Sequence, residues 1–150
     1  MKALVQRVTE ASVTVAGDII GEIKQGMLVL LGVEFADTSE QAVTLANKVA
    51  KFRMFSDAND KMNLCVSDIA GQILVVPQFT LAADTQSGRR PSFSTAAPPS
   101  QANALYLAFV AHLEQLGIPV ATGEFGADMQ VALINDGPVT FMLQTNHSEG

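Results

Sequence analysis

Gln78, Phe79 and Thr80 are the residues of this sequence whose types and position best suit chemistry. They follow the apolar run 73–76, which predicts a buried strand, and Pro77. Functional residues favour such positions because a rigid element there meets a loop. Gln78 offers an amide, Phe79 an aromatic face, and Thr80 a hydroxyl and a backbone N–H group. On these residues alone, a binding or catalytic strand end and a strand end that only caps the sheet both fit.

The tripeptide Asp136-Gly137-Pro138 lies between two apolar runs, residues 129–134 and 139–143, each typical of a strand. Asp-Gly often connects antiparallel strands because both residues tolerate positive φ. Pro138 removes a backbone donor, fixes φ and lowers the cost of a cis peptide bond. The sequence therefore predicts a hairpin whose tip presents two carbonyl oxygens in a fixed direction, although an ordinary turn fits the same residues.

The usual catalytic sets are missing from the sequence. His112 and His147 are the only histidines, and we expect both to be solvated, since His112 lies off the apolar stripe of its helix. Cys65 is the single cysteine, which excludes a disulfide framework and a Cys-based zinc site. No nucleophile elbow, phosphate-binding loop or dinucleotide fingerprint occurs, so we expect no metal and no cofactor. A hydrolase built on this chain would rely on positioning and backbone donors.

Composition indicates one domain over residues 1–150 with surplus apolar surface. Hydrophobic residues make up 48% and charged residues 16% of the chain, which favours a partner such as a second copy. No apolar run reaches the ~18 residues of a membrane span. The charges of Lys2 and Arg7 do not fit a signal peptide, and with a single cysteine they favour the cytoplasm. A net charge of −6 argues against broad nucleic-acid binding but leaves room for a local contact.

The periodicity of the chain predicts an α+β fold with a mostly antiparallel, strongly curved, barrel-like sheet and two main helices. Alternating or apolar runs predict strands at residues 2–9, 12–15, 19–23, 27–33, 73–76 and 120–122, besides the two runs around Pro138. Thr38 with Gln41 predicts the capping box of a first helix, and Ser100 is the expected cap of a second helix that ends at Gly117.

Three segments carry no regular pattern. Residues 82–99 form a long stretch of small and turn-forming residues, a length usually associated with function or mobility. Residues 57–61 resemble a calcium loop only in part, because the required spacing fails at Lys61, and they predict an ordinary turn. Residues 146–150 predict a frayed tail.

Basic residues are concentrated at two places. Lys48, Lys51 and Arg53 lie near the end of the first predicted helix, and Arg89 and Arg90 lie in the long stretch 82–99. Cations near a helix C-terminus suit its dipole and often form a solvated face. The same five residues are candidates for contacts with RNA phosphates.

Several segments together resemble the D-aminoacyl-tRNA deacylase family over about residues 1–145. The chain is similar to that family at Gln78-Phe79-Thr80-Leu81, Gly88-Arg89-Arg90-Pro91-Ser92-Phe93, Gly126-Ala127-Asp128-Met129-Gln130-Val131, Asn135-Asp136-Gly137-Pro138-Val139-Thr140, Lys61-Met62-Asn63-Leu64, and Val5-Gln6-Arg7-Val8 with Ala11-Ser12-Val13-Thr14-Val15. These segments occur in the family's order and with compatible spacing, so the resemblance is specific.

The resemblance implies a cytoplasmic homodimer that hydrolyses the ester between a D-amino acid and the 3′ end of its tRNA. It further implies that Gly137 and Pro138 form a cis peptide that enters the partner's active site, where its carbonyls hold the substrate amino group. Gln78, Phe79 and Thr80 would line that pocket, and Arg7 would brace the Gly-Pro unit. Met129 corresponds to a residue that lies near the terminal adenosine in this family.

The expected chemistry combines an oxyanion hole with stereochemical exclusion. The N–H groups of Phe79 and Thr80 would stabilise the oxyanion, and the ribose 2′-hydroxyl would assist the attacking water. Thr80 as a covalent nucleophile is the alternative, although no base is present to activate it. An L side chain would meet the Gly-Pro carbonyls, whereas glycyl-tRNA, including glycine mischarged on tRNA(Ala), would pass.

Pro77 departs from the family pattern, in which serine is common at this position. Proline removes a backbone donor and a hydroxyl there, so a catalytic role for the residue is not expected. Two other functions remain open from the sequence: a non-catalytic dimeric protein that binds a small ligand or an RNA end, and a small amidase or esterase acting on free D-amino-acid derivatives.

Overall fold

The computed structural model describes residues 1–145, so the tail expected at 146–150, with His147, lies outside the described residues. The described chain contains eight strands, two α-helices and a 3-10 helix over Phe79–Ala82. In chain order the elements are β1 (Lys2–Val15), β2 (Asp18–Ile23), β3 (Gly26–Gly32), α1 (Ser39–Lys51), β4 (Phe55–Ser56), β5 (Met62–Leu64), β6 (Gln72–Pro77), α2 (Pro99–Gln115), β7 (Val120–Thr122) and β8 (Gln130–Gln144).

Six strands form one sheet in the order β2-β1-β3-β6-β7, with β8 also paired to β1. The pairings of β1 with β2, β3 and β8 are antiparallel, whereas β3–β6 and β6–β7 are parallel. Helix α1 lies in the crossover from β3 to β6 and α2 in that from β6 to β7, as parallel neighbours require. The predicted α+β class with a mostly antiparallel sheet is therefore confirmed.

The sheet curves until its two ends approach each other. A Cβ atom at Gly21 in β2 would lie 2.5 Å from the carbonyl oxygen of Thr122 in β7, so only glycine allows this approach. The curvature also divides the core in two, because the side-chain alternation of β1 changes phase at its bulges. Ala3 and Val5 face the core under the helices, whereas Val8, Ala11 and Val13 face the interior of the curved sheet.

The predicted hairpin at Asp136-Gly137-Pro138 is wrong. Both apolar runs belong to the single strand β8, and both pair with β1. Thr140 pairs with Gln6, and Asn135 pairs with Val8. The four residues 136–139 therefore lie opposite the single residue Arg7 and form a bulge in β8. The Asp-Gly dipeptide correctly predicted an interruption of the extended chain. It could not show that the chain continues in the same direction and pairs with β1 on both sides of the interruption.

The ends of the helices agree only partly with the sequence predictions. At α1 the Gln41 side-chain oxygen accepts a hydrogen bond of 2.7 Å from the N–H of Thr38, as a capping box requires. Helix α2 begins at Pro99 with Pro98 as its N-cap, so the predicted cap at Ser100 is wrong. Proline is well suited to the first helical position because no N–H group is needed there. Gly117 has φ of +82° just after α2, as predicted.

The turn expected at residues 57–61 is present in the fold. Residues 57–61 are the turn between β4 and β5, in which the Asp57 carboxylate accepts hydrogen bonds from the N–H groups of Lys61 and Asn59. These bonds lower the pKa of Asp57. Within residues 1–145, no helix is long and apolar enough to cross a bilayer.

Candidate active site

The end of β6 positions Gln78 and the two residues after it. Strand β6 is fixed by parallel pairing with β3, and the N–H of Gln78 extends this ladder with a bond of 2.8 Å to the carbonyl of Leu31. The chain then turns into the 3-10 helix, closed by a bond of 3.2 Å from the N–H of Leu81 to the Gln78 carbonyl. Phe79 and Thr80 are thus the first residues of a helix held by a central strand.

The N–H groups of Phe79 and Thr80 are available to a ligand. The first N–H groups of a helix have no acceptor within it, and no hydrogen bond from either group is found within residues 1–145. The Thr80 hydroxyl oxygen accepts a hydrogen bond of 2.7 Å from the side-chain amide of Gln78. This leaves the hydroxyl proton of Thr80 free to donate, while the oxygen is already engaged.

A cleft of about 250 Å³ opens beside these residues, and it brings three of the predicted site residues together with a fourth, Met129. Its walls are Val76, Pro77, Gln78, Phe79, Thr80, Gly126, Ala127, Met129 and Val131. The Met129 sulfur accepts a hydrogen bond of 3.4 Å from the N–H of Glu124, which fixes the side chain against the segment after β7. The cleft therefore combines backbone donors, one amide, one hydroxyl and an apolar wall.

A second, apolar cleft of about 490 Å³ shares Pro77, Phe79 and Gly126 with the first. Phe79 is 59% exposed and packs against Phe93, with 5.2 Å between the ring centroids. The predicted long loop is partly ordered here: Asp84 and Ser92 exchange two backbone hydrogen bonds, and the Thr95 hydroxyl donates to the Ala82 carbonyl. Pro77, the departure from the family pattern, lies in both clefts and presents only apolar surface.

Tyr106 supports the site and was not found by sequence reasoning. Its hydroxyl lies 3.5 Å from the carbonyl oxygens of both Val75 and Gly123, which belong to the chain segments leading to the two sides of the cleft. Tyr106 is only 4% exposed, and burial raises its pKa above the ordinary 10.0. Its place in the apolar stripe of α2 resembles that of any core residue, so the sequence held no signal for this contact.

The bulge of β8 presents Gly137 and Pro138 outward. The Gly137–Pro138 peptide bond is cis, as the family resemblance implies, and Gly137 has φ of +136°, which L side chains rarely adopt. The side chain of Asn135 spans the bulge: its oxygen accepts a hydrogen bond from the N–H of Val139 and its amide donates to the Thr140 hydroxyl, both at 2.8 Å.

Arg7 holds the bulge against the rest of the fold. Its Nε donates a hydrogen bond of 3.0 Å to the Asp136 carbonyl, and a second guanidinium nitrogen donates one of 3.0 Å to the Met54 carbonyl. The Asp136 carboxylate lies 3.9 Å from the same guanidinium. One planar cation therefore bridges β8 and the segment after α1.

Gly137 and Pro138 do not join the Gln78–Thr80 cleft of their own chain. Strand β8 reaches this cleft only near its start, with Val131, and Gly137 lies six residues further along the strand, roughly 20 Å away in an extended chain. Arg7, opposite the bulge, pairs with Met27, which pairs with Ile73, and Gln78 lies five residues beyond, roughly 16 Å along the strand. The sequence thus identified two surfaces that one chain keeps apart on the sheet.

The remaining titratable groups do not enter the cleft. His112 is half-buried and its Nε2 lies 2.9 Å from the Asn47 side-chain oxygen, so it links α2 to α1 rather than being solvated as expected. In the part of the chain that the structure describes, no three His, Cys, Asp or Glu side chains converge in a way that could hold a metal ion.

Comparison with known proteins assigns the family. The family model for D-Tyr-tRNA(Tyr) deacylase matches residues 4–144. The chain is 60% identical over 144 residues to the D-aminoacyl-tRNA deacylase of Shewanella frigidimarina, covering 96% of this chain and 99% of that protein. It is 62% identical over 143 residues to the D-aminoacyl-tRNA deacylase of Colwellia psychrerythraea, covering 95% and 99%.

Solved structures share the fold over nearly the whole chain. The c-Myc DNA unwinding element binding protein superposes with a TM-score of 0.93 at 41% identity, covering 98% of this chain and 100% of that one. A probable eukaryotic D-amino acid tRNA deacylase superposes with a TM-score of 0.83 at 17% identity, covering 96% and 98%. With the cleft, the bulge and these matches together, the chain belongs to the D-Tyr-tRNA(Tyr) deacylase family.

Proposed function

We propose that this protein hydrolyses the ester bond of D-aminoacyl-tRNA, releasing the D-amino acid and the tRNA. The observation that carries the proposal is the pair of uncommitted N–H groups of Phe79 and Thr80 at the head of a helix, beside a cleft and in a chain of this family. Two donors fixed on rigid backbone suit the oxyanion of a tetrahedral intermediate. The substrate also makes the cytoplasm the expected compartment.

In this mechanism backbone groups stabilise the transition state. The N–H groups of Phe79 and Thr80 donate to the developing oxyanion, each worth roughly 3 kcal/mol in comparable enzymes. Water is the nucleophile, and the 2′-hydroxyl of the terminal ribose assists it. The Gln78 amide keeps the Thr80 oxygen engaged, which favours Thr80 as a donor to substrate over Thr80 as a nucleophile.

Met129 is proposed to contact the terminal adenosine, since it lines the same cleft as Gln78 and is held there by the N–H of Glu124. No charged side chain of the described residues lines this cleft. Binding of the aminoacylated end therefore depends on shape, stacking and backbone hydrogen bonds near the reacting ester.

Chiral selection is proposed to come from the partner subunit. The bulge does not line the cleft of its own chain, which β8 reaches only with Val131, so its carbonyls would enter the cleft of a second copy. There the carbonyls of Gly137 and Pro138 would hold the amino group of a D-amino acid and exclude an L side chain. Glycine has no side chain to exclude, so glycyl-tRNA, including glycine mischarged on tRNA(Ala), would also be cleaved.

A homodimer is supported by the exposed surface of β8. Within the described residues β8 pairs on one side only, with β1, which leaves an edge of unpaired backbone groups. Ile134, Phe141 and Met142 on this strand are 53%, 37% and 47% exposed. An apolar edge next to the bulge suits an isologous contact with a second copy.

DNA binding, suggested by the name of one structural relative, is less well supported. A net charge of −6 opposes sequence-independent contact with a duplex, which requires a broad basic face.

The test is deacylation of D-tyrosyl-tRNA with protein at about one hundredth of the substrate concentration. Many turnovers are expected, and free D-tyrosyl ester without tRNA should be a poor substrate. Stoichiometric binding without turnover would contradict the proposal and favour a binding protein. Equal rates on the free ester would favour a general esterase.

A further inference from the structure

The basic cluster, which we define as Lys48, Lys51 and Arg53, lies at the end of α1 and just beyond it. All three side chains are exposed, and with Asn47 and Phe52 they surround an open hollow of about 470 Å³. Three of the nine basic residues of the chain are thus concentrated within six positions. The side chain of Phe52 also lines this hollow and contributes apolar surface to it.

The charge of the cluster is largely uncompensated. No acidic residue occurs between positions 41 and 56, although the chain as a whole carries −6. Among the described residues no ion pair involves Lys48 or Lys51. Arg53 lies near Asp68, whose pKa is lowered first by hydrogen bonds from Cys65 and to a smaller degree by this arginine. The hollow is therefore a local positive site on an acidic protein.

The cluster is attached to the same part of the fold as the Gly137–Pro138 bulge. Phe52 packs on Phe141 of β8, with 5.0 Å between ring centroids, and the Lys48 ammonium lies 3.4 Å from the Gln144 carbonyl. The guanidinium of Arg7 bridges the carbonyls of Met54 and Asp136, one residue from Arg53 and from Gly137.

This attachment determines which active site the cluster serves. Neither the cluster residues nor Gly137 and Pro138 line the Gln78–Thr80 cleft of their own chain. If the bulge enters the partner's cleft, the basic cluster moves with it to the rim of that cleft. A tRNA end in that cleft would carry phosphates next to its terminal nucleotide, at this rim.

We propose that the basic cluster binds backbone phosphates of the tRNA acceptor end whose aminoacyl group occupies the partner subunit's cleft. The inference rests on the proposed function and extends it: one subunit supplies the oxyanion donors, and the other supplies both the chiral barrier and the phosphate contacts. The cations also suit the C-terminal dipole of α1, but that role does not account for Arg53, which lies beyond the helix end.

The first test is the double variant Lys48→Ala/Lys51→Ala, with Lys24→Ala/Lys61→Ala as the matched control of equal charge. We expect KM for D-tyrosyl-tRNA to rise roughly tenfold at low salt with kcat unchanged, and the slope of log KM against log salt to fall by about 2. Cleavage of D-tyrosyl-adenosine, which lacks the upstream phosphates, should be unaffected. An unchanged KM and salt slope would overturn the inference.

The second test uses mixed dimers in which one subunit carries Thr80→Pro, which removes the Thr80 N–H and leaves only the other cleft active. Loss of Lys48 and Lys51 from the Thr80→Pro subunit should raise KM, whereas their loss from the subunit with the active cleft should not. The opposite pattern would overturn the cross-subunit assignment. Absence of wild-type turnover would instead contradict the proposed function itself, so the two failures are distinguishable.

Discussion

The backbone N–H and the side-chain hydroxyl of Thr80 have different hydrogen-bonding states. Its N–H is uncommitted at the head of the 3-10 helix, while its hydroxyl oxygen is engaged by the amide of Gln78. No histidine or carboxylate lines the cleft to act as its base. The N–H group is therefore the part of Thr80 on which the proposed mechanism depends.

Two substitutions separate these roles. Thr80→Ala keeps the N–H and should leave kcat within about threefold of the wild-type value. Thr80→Pro removes the N–H and should lower kcat by roughly 10²- to 10³-fold, as for the loss of one oxyanion donor. Single-turnover kinetics on D-tyrosyl-tRNA measures both. Loss of all activity in Thr80→Ala would contradict this assignment and favour Thr80 as the covalent nucleophile.

Sequence reasoning selected the candidate site residues but did not show how they are grouped. Gln78, Phe79, Thr80 and Met129 could be selected from strand-end position and family segments, and they do share one cleft. Tyr106 and Asn135 were missed, because a buried tyrosine on an apolar stripe and an asparagine beside a turn each have ordinary structural explanations. Their contacts depend on strands that are distant in sequence.

At the scale of elements, strand β8 shows what local pattern can and cannot predict. Its two apolar runs were correctly predicted as extended, and the break between them was correctly located. The hairpin was wrong because a turn signal does not encode the neighbour of each run, and both runs pair with β1. Gly137 and Pro138 therefore lie in a bulge that is held by Arg7, whereas a hairpin would have placed them at an unsupported tip.

Helix α2 and strand β6 are coupled through Tyr106, which is the single tyrosine of the chain. Burial raises its pKa above 10.0, so the folded protein retains the phenolic proton where the unfolded chain has lost it. The stability associated with this group is present below about pH 10 and is lost as the pH rises through the folded pKa.

Two measurements check this sign. Tyrosinate absorbance at 295 nm should appear at a higher pH in the folded protein than in denaturant. Tyr106→Phe should remove the corresponding component from the alkaline loss of stability, measured by urea denaturation between pH 9 and 11. A tyrosine that titrates normally in the folded protein would contradict the burial argument.

At the scale of the whole molecule, the separation of cleft and bulge makes a second copy part of the proposed site. The exposed apolar residues of β8 lie where that copy would bind. The mostly antiparallel, curved sheet was predictable from strand lengths and alternation. A homodimer was expected from surplus hydrophobicity and from the family resemblance, but composition does not specify which surface is covered.

A charge placed on this edge tests the dimer. The double variant Ile134→Asp/Met142→Asp should be monomeric by analytical ultracentrifugation, because by symmetry each buried carboxylate occurs twice, at a cost of roughly 4 kcal/mol or more. Deacylase activity should fall more than about 100-fold, since the cleft loses its partner's bulge. Leu107→Asp, at a residue 55% exposed on α2, is the control and should change neither. A fully active monomer would contradict the shared site.

The central claim is that fixed carbonyls of a Gly-Pro bulge, and not contacts to the side chain, select the D configuration. The most direct measurement is the initial rate of deacylation of D-tyrosyl-, L-tyrosyl- and glycyl-tRNA by the same preparation. We predict rapid cleavage of the D-tyrosyl substrate, measurable cleavage of the glycyl substrate and essentially none of the L-tyrosyl substrate. Comparable rates on D- and L-tyrosyl-tRNA would contradict the claim.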